Sequence, residues 1–299
     1  MRSRMILLVV GIGLMLVACG TNRVGKPVEK LPNDSLTEVL EATETSVLGR
    51  DSVWRMRPET IDTVIGDWHI RLRRQANSYV IGRGTDYQVA DNSVFLTLER
   101  RGKTIWKQRE IGTKDVIGEL GVYQLMYAHP FYATPTTLYL NVVACMPETD
   151  DLWNMLYCVT PGRAPDLYAM DHEMGAEAED FVNLLSEFFH LYFHQKQVMR
   201  PTTAQMRELF DRYCANPLRS QLEADDAHAD NQWLLQGEKI DFEQALRTID
   251  ITCDSLGAGV MVRFIPRQQS ADTLVWRVFG TPDGERITRV VAVKTFEKP

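Results

Sequence analysis

The hydrophobic period of this chain changes twice, and few folds accommodate both changes. Between residues 51 and 165 the period is two. Trp68, Ile70 and Leu72 alternate with His69, Arg71 and Arg73, and Val94, Leu96 and Leu98 alternate with Phe95, Thr97 and Glu99. That is the pattern of half-buried strands. Arg101-Gly102 turns the chain into Thr104-Ile105-Trp106-Lys107, which predicts a hairpin. Leu138, Leu140, Val142 and Ala144 predict a further strand, Pro147 to Asp151 a turn, and Leu152 to Val159 a return strand. Short strands punctuated by Gly, Pro and Asp predict an all-β sandwich over 51–165.

Pro161-Gly162-Arg163-Ala164-Pro165 reads as a linker, and the period beyond it is helical. An acidic segment (Asp171, Glu173, Glu177, Glu179, Asp180) suits a helix N-terminus, and Phe181, Leu184, Leu185, Phe188 and Tyr192 continue at helical spacing over about 178–199. Pro201-Thr202-Thr203 opens a second helix with a threonine N-cap. Its apolar face is Met206, Leu209, Phe210, Tyr213 and Cys214, and it must stop before Pro217. Leu218 to Glu223 predicts a third, short helix. From Ala245 the period returns to two, with strands expected at 246–253, 259–265, 273–279 and 287–294. Thr281-Pro282-Asp283-Gly284-Glu285 supplies the last hairpin turn. Helices followed by an antiparallel meander predict an α+β domain over 166–299, and hence a two-domain chain.

The first residues give an address. Arg2 and Arg4 precede an apolar run from Met5 to Val17, too short to span a bilayer comfortably. The sequence Leu16-Val17-Ala18-Cys19 resembles the bacterial lipobox. That resemblance implies that residues 1–18 are a signal peptide, that cleavage falls before Cys19, and that Cys19 carries the lipid. The acyl chains so attached exceed the two signals that stable anchoring requires. Gly20 to Arg23 contain no aspartate at the second position, which argues against inner-membrane retention, and no acidic run of the kind that directs surface export. The expectation is an outer-membrane lipoprotein on the periplasmic face, with surface exposure left open. Residues 19–50, polar and containing Gly20, Gly25, Pro27 and Pro32, read as a tether.

Charge excludes one large class of partner. The 299-residue chain has a net charge of −7, with no basic block to neutralise a phosphate backbone, so nucleic-acid binding is not expected. Residues 19–165 carry 17 basic and 18 acidic groups, whereas 166–299 carry 14 and 22, a contrast that supports a boundary near residue 165.

Four cysteines follow the anchor: Cys145, Cys158, Cys214 and Cys253. An even number in an exported chain is read first as disulfides, here Cys145–Cys158 and Cys214–Cys253. Buried thiols are the alternative. No Cys-x-x-Cys spacing supports a zinc site.

Two resemblances go beyond the residues. Ala90-Asp91-Asn92-Ser93-Val94, with Gly102-Lys103 and Thr113-Lys114, resembles an uncharacterised β-rich domain of Bacteroidetes lipoproteins over about 50–165. Phe189-x-x-Tyr192, Leu209-Phe210-x-x-Tyr213-Cys214 and Trp276-Arg277-Val278 resemble an uncharacterised periplasmic family over about 177–296. That second family is similar to the nuclear-transport-factor-2-type cone, which implies helices packed on a curved antiparallel sheet whose concave face holds a small pocket. Neither resemblance implies an activity.

Glu187, His190 and His194 are the sharpest chemical constellation. Histidines four apart on a helix can address one metal ion, with Glu187 or one of Asp171, His172, Glu173 and His228 as a third ligand. The segment lacks the internal glutamate of the zinc-protease motif. The competing reading is two polar residues on the wet side of an amphipathic helix. Asp225, Asp226, His228 and Asp230 read either as a solvated loop or as a divalent-cation site. Gly82-Arg83-Gly84 precedes no helix and reads as a turn, not a phosphate loop. Arg71, Arg73 and Arg74 line a strand and read as a solvated face or as a receiver for an acidic partner. Trp233 and Trp276 read as core residues or as ligand-stacking rings. No catalytic residue and no cofactor are expected. The leading expectation is therefore a membrane-anchored periplasmic lipoprotein that binds a protein or a small-molecule ligand without catalysis. The alternatives are an immunity-type inhibitor of a cell-wall toxin and a metal-dependent hydrolase built on Glu187, His190 and His194.

Overall fold

A computed structural model describes residues 53–118, 121–170, 179–198, 202–227, 240–253, 259–268 and 273–293. These residues form three antiparallel sheets of four strands each, with five helices. The first sheet is a meander of β1 (Glu59–Ile65), β2 (Trp68–Ile81), β3 (Val89–Arg100) and β4 (Lys103–Gly112), followed by the short helix α1 (Thr113–Ile117). The second is a meander of β5 (Gln124–Ala133), β6 (Leu138–Cys145), β7 (Leu152–Val159) and β8 (Asp166–Ala169). Helices α2 (Glu179–Val198), α3 (Thr203–Tyr213), α4 (Leu218–Ala227) and α5 (Phe242–Thr248) come next. The third sheet, in spatial order β12-β11-β10-β9, is built from β9 (Asp250–Cys253), β10 (Val260–Phe264), β11 (Leu274–Gly280) and β12 (Ile287–Val293).

The alternating residues pack as a sandwich between the first two sheets. Trp68, Ile70 and Leu72 of β2 and Val94, Leu96 and Leu98 of β3 face Leu138, Leu140 and Val142 of β6 and Met155, Tyr157 and Val159 of β7. Burying each such side chain contributes ~1.5–3 kcal/mol, so this interior dominates the stability of the sheet pair. The expected hairpin at Arg101-Gly102 closes β3 onto β4. Both residues take positive φ, 49° and 73°, as a two-residue turn matched to strand twist requires.

The second sheet is buried on both faces. A strand offers alternate residues to opposite sides. While Leu138 and Leu140 enter the sandwich, Tyr139, Leu156, Cys158 and Tyr168 join a second core shared with the helices and the third sheet. Strand β8 pairs with β7 and so carries this sheet past the Pro161–Pro165 segment.

Helix α2 is the centre of that second core. Every residue from Phe188 to Gln195 is buried, the condition of a helix surrounded on all sides. Phe189 and Phe193 meet Trp276 and Phe264 of the third sheet, with ring centroids 5.5 Å (Phe189–Trp276) and 5.1 Å (Phe193–Phe264) apart. Phe188 and Tyr192 meet Tyr213 and Phe210 of α3. His190 and His194 face the second sheet. The histidines thus occupy the core rather than a wet helix face.

Helix α3 begins as its sequence requires. The Thr202 hydroxyl accepts from the Gln205 amide nitrogen, and the Gln205 side chain accepts from the Thr202 amide in return. Residues 246–248, expected in a strand, instead end α5. Asp241 caps that helix by accepting from the Gln244 amide at 3.2 Å, and β9 starts only at Asp250. Ala245 and Leu246 fit the apolar face of a short helix as well as an alternating strand, and the aspartate cap decides between them. Asp225 and Asp226 belong to α4, and His228 and Asp230 lie outside the described residues.

Candidate functional site

The densest buried polar cluster forms where α2 crosses the second sheet. Strand β8 supplies Asp166 and Tyr168, β6 supplies Tyr139, α2 supplies His190 and His194, and α5 supplies Glu243. His194 Nε2 lies 3.4 Å from the Asp166 carboxylate, and Nδ1 lies 3.1 Å from the Tyr139 hydroxyl. The tautomer protonated on Nε2 satisfies both contacts, donating to Asp166 and accepting from Tyr139. The imidazole holds the Asp166 carboxyl below its usual range, chiefly through this hydrogen bond. Tyr168 stands edge-on to the same ring, and its hydroxyl lies 3.0 Å from Glu243, which also accepts from the Gln197 amide.

An aspartate, a histidine and a hydroxyl in a row share the composition of a nucleophile relay. Here the hydroxyl belongs to Tyr139, which is buried, and burial drives its pKa well above the ordinary tyrosine value. A phenol held protonated and sealed from solvent is no nucleophile. The row instead ties α2 to the second sheet by satisfying polar groups that would otherwise be buried alone.

His190 is committed just as fully. Its Nδ1 lies 2.7 Å from the Ser186 carbonyl oxygen and its Nε2 lies 3.0 Å from the Ala169 carbonyl oxygen. The two carbonyls favour a doubly protonated ring, but complete burial opposes charge more strongly and brings the pKa down to about 4. Glu187 is engaged elsewhere, accepting from the Tyr213 hydroxyl of α3 at 2.8 Å.

These contacts do not bring Glu187, His190 and His194 together as a metal site. The ring nitrogens of His190 and His194 face different partners, and Glu187 does not join them. Among the described residues no group of three or more His, Cys, Asp or Glu side chains is placed to hold a metal ion. Asp171, His172, Glu173 and His228 lie outside the described residues.

The disulfide expectation is also corrected. Among the described residues no disulfide joins Cys145 to Cys158 or Cys214 to Cys253. Cys145 pairs with Leu152 and Cys158 with Tyr139, so the two sit at opposite ends of the β6–β7 ladder, about 20 Å apart at strand rise. Cys214 bridges Ile287 on the free side of edge strand β12, whereas Cys253 lies on the opposite edge strand β9, four strand spacings or about 19 Å away. A disulfide joins Cα atoms only about 4.4–6.8 Å apart.

Trp276 is a core residue, buried against Phe189, Phe193 and Phe264, and is closed to a stacking ligand. Trp233 and Cys19 lie outside the described residues. Arg71 pairs with Asp62 at 2.7 Å on the exposed face of β2. Arg74 turns inward, donating to the carbonyls of Met126 and Arg57 and pairing with Glu59 at 3.1 Å.

The segment Ala90 to Val94 contains a second buried polar cluster. Asp91 Oδ1 accepts from the amides of Asn92 and Leu125, at 2.7 and 2.9 Å, and from the Thr113 hydroxyl at 2.7 Å. The Asn92 side-chain amide donates a 2.7 Å bond to the Leu125 carbonyl in return. Strand β3 is thereby stitched to β5 across the sandwich.

Among the described residues, three of the four exposed aromatic side chains, Trp54, Tyr87 and Trp153, lie at one end of that sandwich, the fourth being Tyr127 of β5, and pattern reading missed them. Trp54 bridges Val89, with its amide donating to Gln88, beside Tyr87. Glu148 and Cys145 lie close enough to help raise the Tyr87 pKa, which puts this loop next to the β6–β7 turn. Trp153 stands edge-on to Tyr123 at 5.8 Å, and the Tyr123 hydroxyl donates to Asp151 at 2.7 Å. Trp54, Tyr87, Val122, Leu152 and Trp153 are all exposed, at 43, 39, 51, 52 and 38%. Exposed apolar side chains grouped in this way, rather than scattered singly, mark a candidate interaction surface. Asp86, Glu148, Asp150 and Asp151 lie in the same segments with Arg55, Arg57 and Arg83, all exposed.

No protein-family model and no curated protein matches the sequence.

Proposed function

We propose that this chain is a lipid-anchored, non-catalytic binding protein of the outer membrane, held on its periplasmic face through Cys19. In this reading residues 19–50 are the tether, 51–165 form the sandwich unit, and 166–299 form an α+β unit whose sheet curves around α2. The observation that carries docking over chemistry is the commitment of His190 and His194. The groups best suited by type to catalysis are spent on Ser186, Ala169, Tyr139 and Asp166 in the interior. What the sandwich offers to solvent is the aromatic end around Trp54 and Trp153, a surface suited to contact rather than to proton transfer.

The test is metabolic labelling with a palmitate analogue, followed by membrane fractionation and metal analysis. The expected outcome is label and outer-membrane sedimentation that are both lost in Cys19→Ala, with no stoichiometric metal. Label retained in that variant overturns the anchor. One zinc per chain, lost in His190→Ala, overturns the non-catalytic reading in favour of the hydrolase.

A further inference from the structure

We propose that the aromatic end of the sandwich is the face on which the chain rests against a zwitterionic phospholipid surface. The proposal depends on the reading of Cys19 as the lipid-bearing residue. The chain outside the described residues ends at this face. Thirty-three residues separate Cys19 from Val53, and Trp54, the next residue, is part of the patch. On the reading of this segment as a flexible tether, its root-mean-square span is roughly 30 Å, so the end of the domain where it enters is the end it holds nearest the bilayer.

The residue types agree with that position. Tryptophan and tyrosine settle at the boundary of hydrocarbon and water, where an apolar ring and a polar tip are both satisfied. Trp54, Tyr87 and Trp153 supply the rings, and Val122 and Leu152 add apolar surface beside them.

Charge does not steer the face toward anionic lipid. The exposed residues around the patch include Asp86, Glu148, Asp150 and Asp151 against Arg55, Arg57 and Arg83, a net −1. A rim so nearly balanced gives an anionic leaflet no electrostatic advantage over a zwitterionic one. Apolar and interfacial contact therefore carries the binding, and salt changes it little.

The experiment uses the chain from Gly20 to Pro299, which carries no anchor, mixed with phosphatidylcholine vesicles. Flotation and quenching of tryptophan emission by brominated acyl chains report the contact. The expected result is flotation with quenching, reduced at least ten-fold in the Trp54→Ala, Trp153→Ala double variant while its circular dichroism and melting temperature are unchanged. Adding phosphatidylglycerol does not raise flotation, and 0.5 M salt changes it little. No flotation of the parent chain, flotation indifferent to the double variant, or strengthening by phosphatidylglycerol would each overturn the proposal. A dimer abolished by the double variant would assign the face to a second copy instead. Because this chain lacks Cys19, failure here removes the docking face alone, whereas failure of the anchor appears in the palmitate experiment.

Discussion

His194 lies 3.4 Å from Asp166, joining the centre of α2 to the edge strand β8. The contact holds the Asp166 carboxyl below its ordinary pKa, so it stabilises the fold above the unfolded value of about 3.9. The contribution is lost as pH falls through the lowered folded value. Asp166→Asn is expected to cost about 1 kcal/mol at pH 7. In urea unfolding, the gap between parent and variant should close progressively below about pH 4.

His190 acts in the opposite pH sense from the usual gain of a histidine partner. Its folded pKa of about 4 is below the unfolded value of about 6.5, so between these values the unfolded chain binds more protons. Stability is expected to fall as pH drops from 6.5 to 4, by about 3 kcal/mol from this group. His190→Gln removes the titration, and its unfolding free energy should be flatter across that window. Equal slopes in parent and variant would show that the ring is charged in the folded state, as the carbonyls of Ser186 and Ala169 favour.

Asp91 is the keystone of the link between β3 and β5. Asp91→Ala leaves the Leu125 amide and the Thr113 hydroxyl buried without their acceptor, at about 1–3 kcal/mol for each such group. Asp91→Asn keeps one acceptor oxygen and should lose less. The ordering parent, Asn, Ala in guanidinium midpoint is the expected outcome, and an alanine variant as stable as the parent would remove Asp91 from this role.

Trp68, Ile70 and Leu72 announced their strand because a half-buried sheet writes its two faces into alternate residues. The Arg101-Gly102 turn and the Thr202 cap were legible for a similar reason, since each is fixed by neighbours in sequence. The commitments of His190 and His194 were not. Spacing places both on one helix face, but what that face meets depends on β8 and β6, which lie about 21–28 and 55 residues away. The cysteines failed for a different reason. Parity of number suggests bridges, but the β6–β7 register carries Cys145 and Cys158 to opposite ends of one ladder, which the turn at Pro147 to Asp151 already implied because the turn fixes the register of a hairpin. Trp54 and Trp153 differ from Trp276 only in what packs over them, and that is a property of the assembled fold.

Thiol chemistry distinguishes the reduced arrangement directly. In the chain from Gly20 to Pro299 the cysteines are Cys145, Cys158, Cys214 and Cys253, of which only Cys253 is exposed. Burial raises the Cys158 thiol well above its ordinary value and the Cys214 thiol to about 12, so neither forms thiolate near neutral pH. The thiolate is the reactive form, and access limits what little is present. Native protein treated with a thiol-specific disulfide reagent at pH 8 is expected to release one equivalent quickly, with the other three appearing only in denaturant. Cys253→Ser should remove the fast equivalent and leave the slow three. Fewer than four equivalents from denatured, non-reduced protein would demand a bridge, and with it a β6–β7 register or an edge-strand arrangement different from the one described.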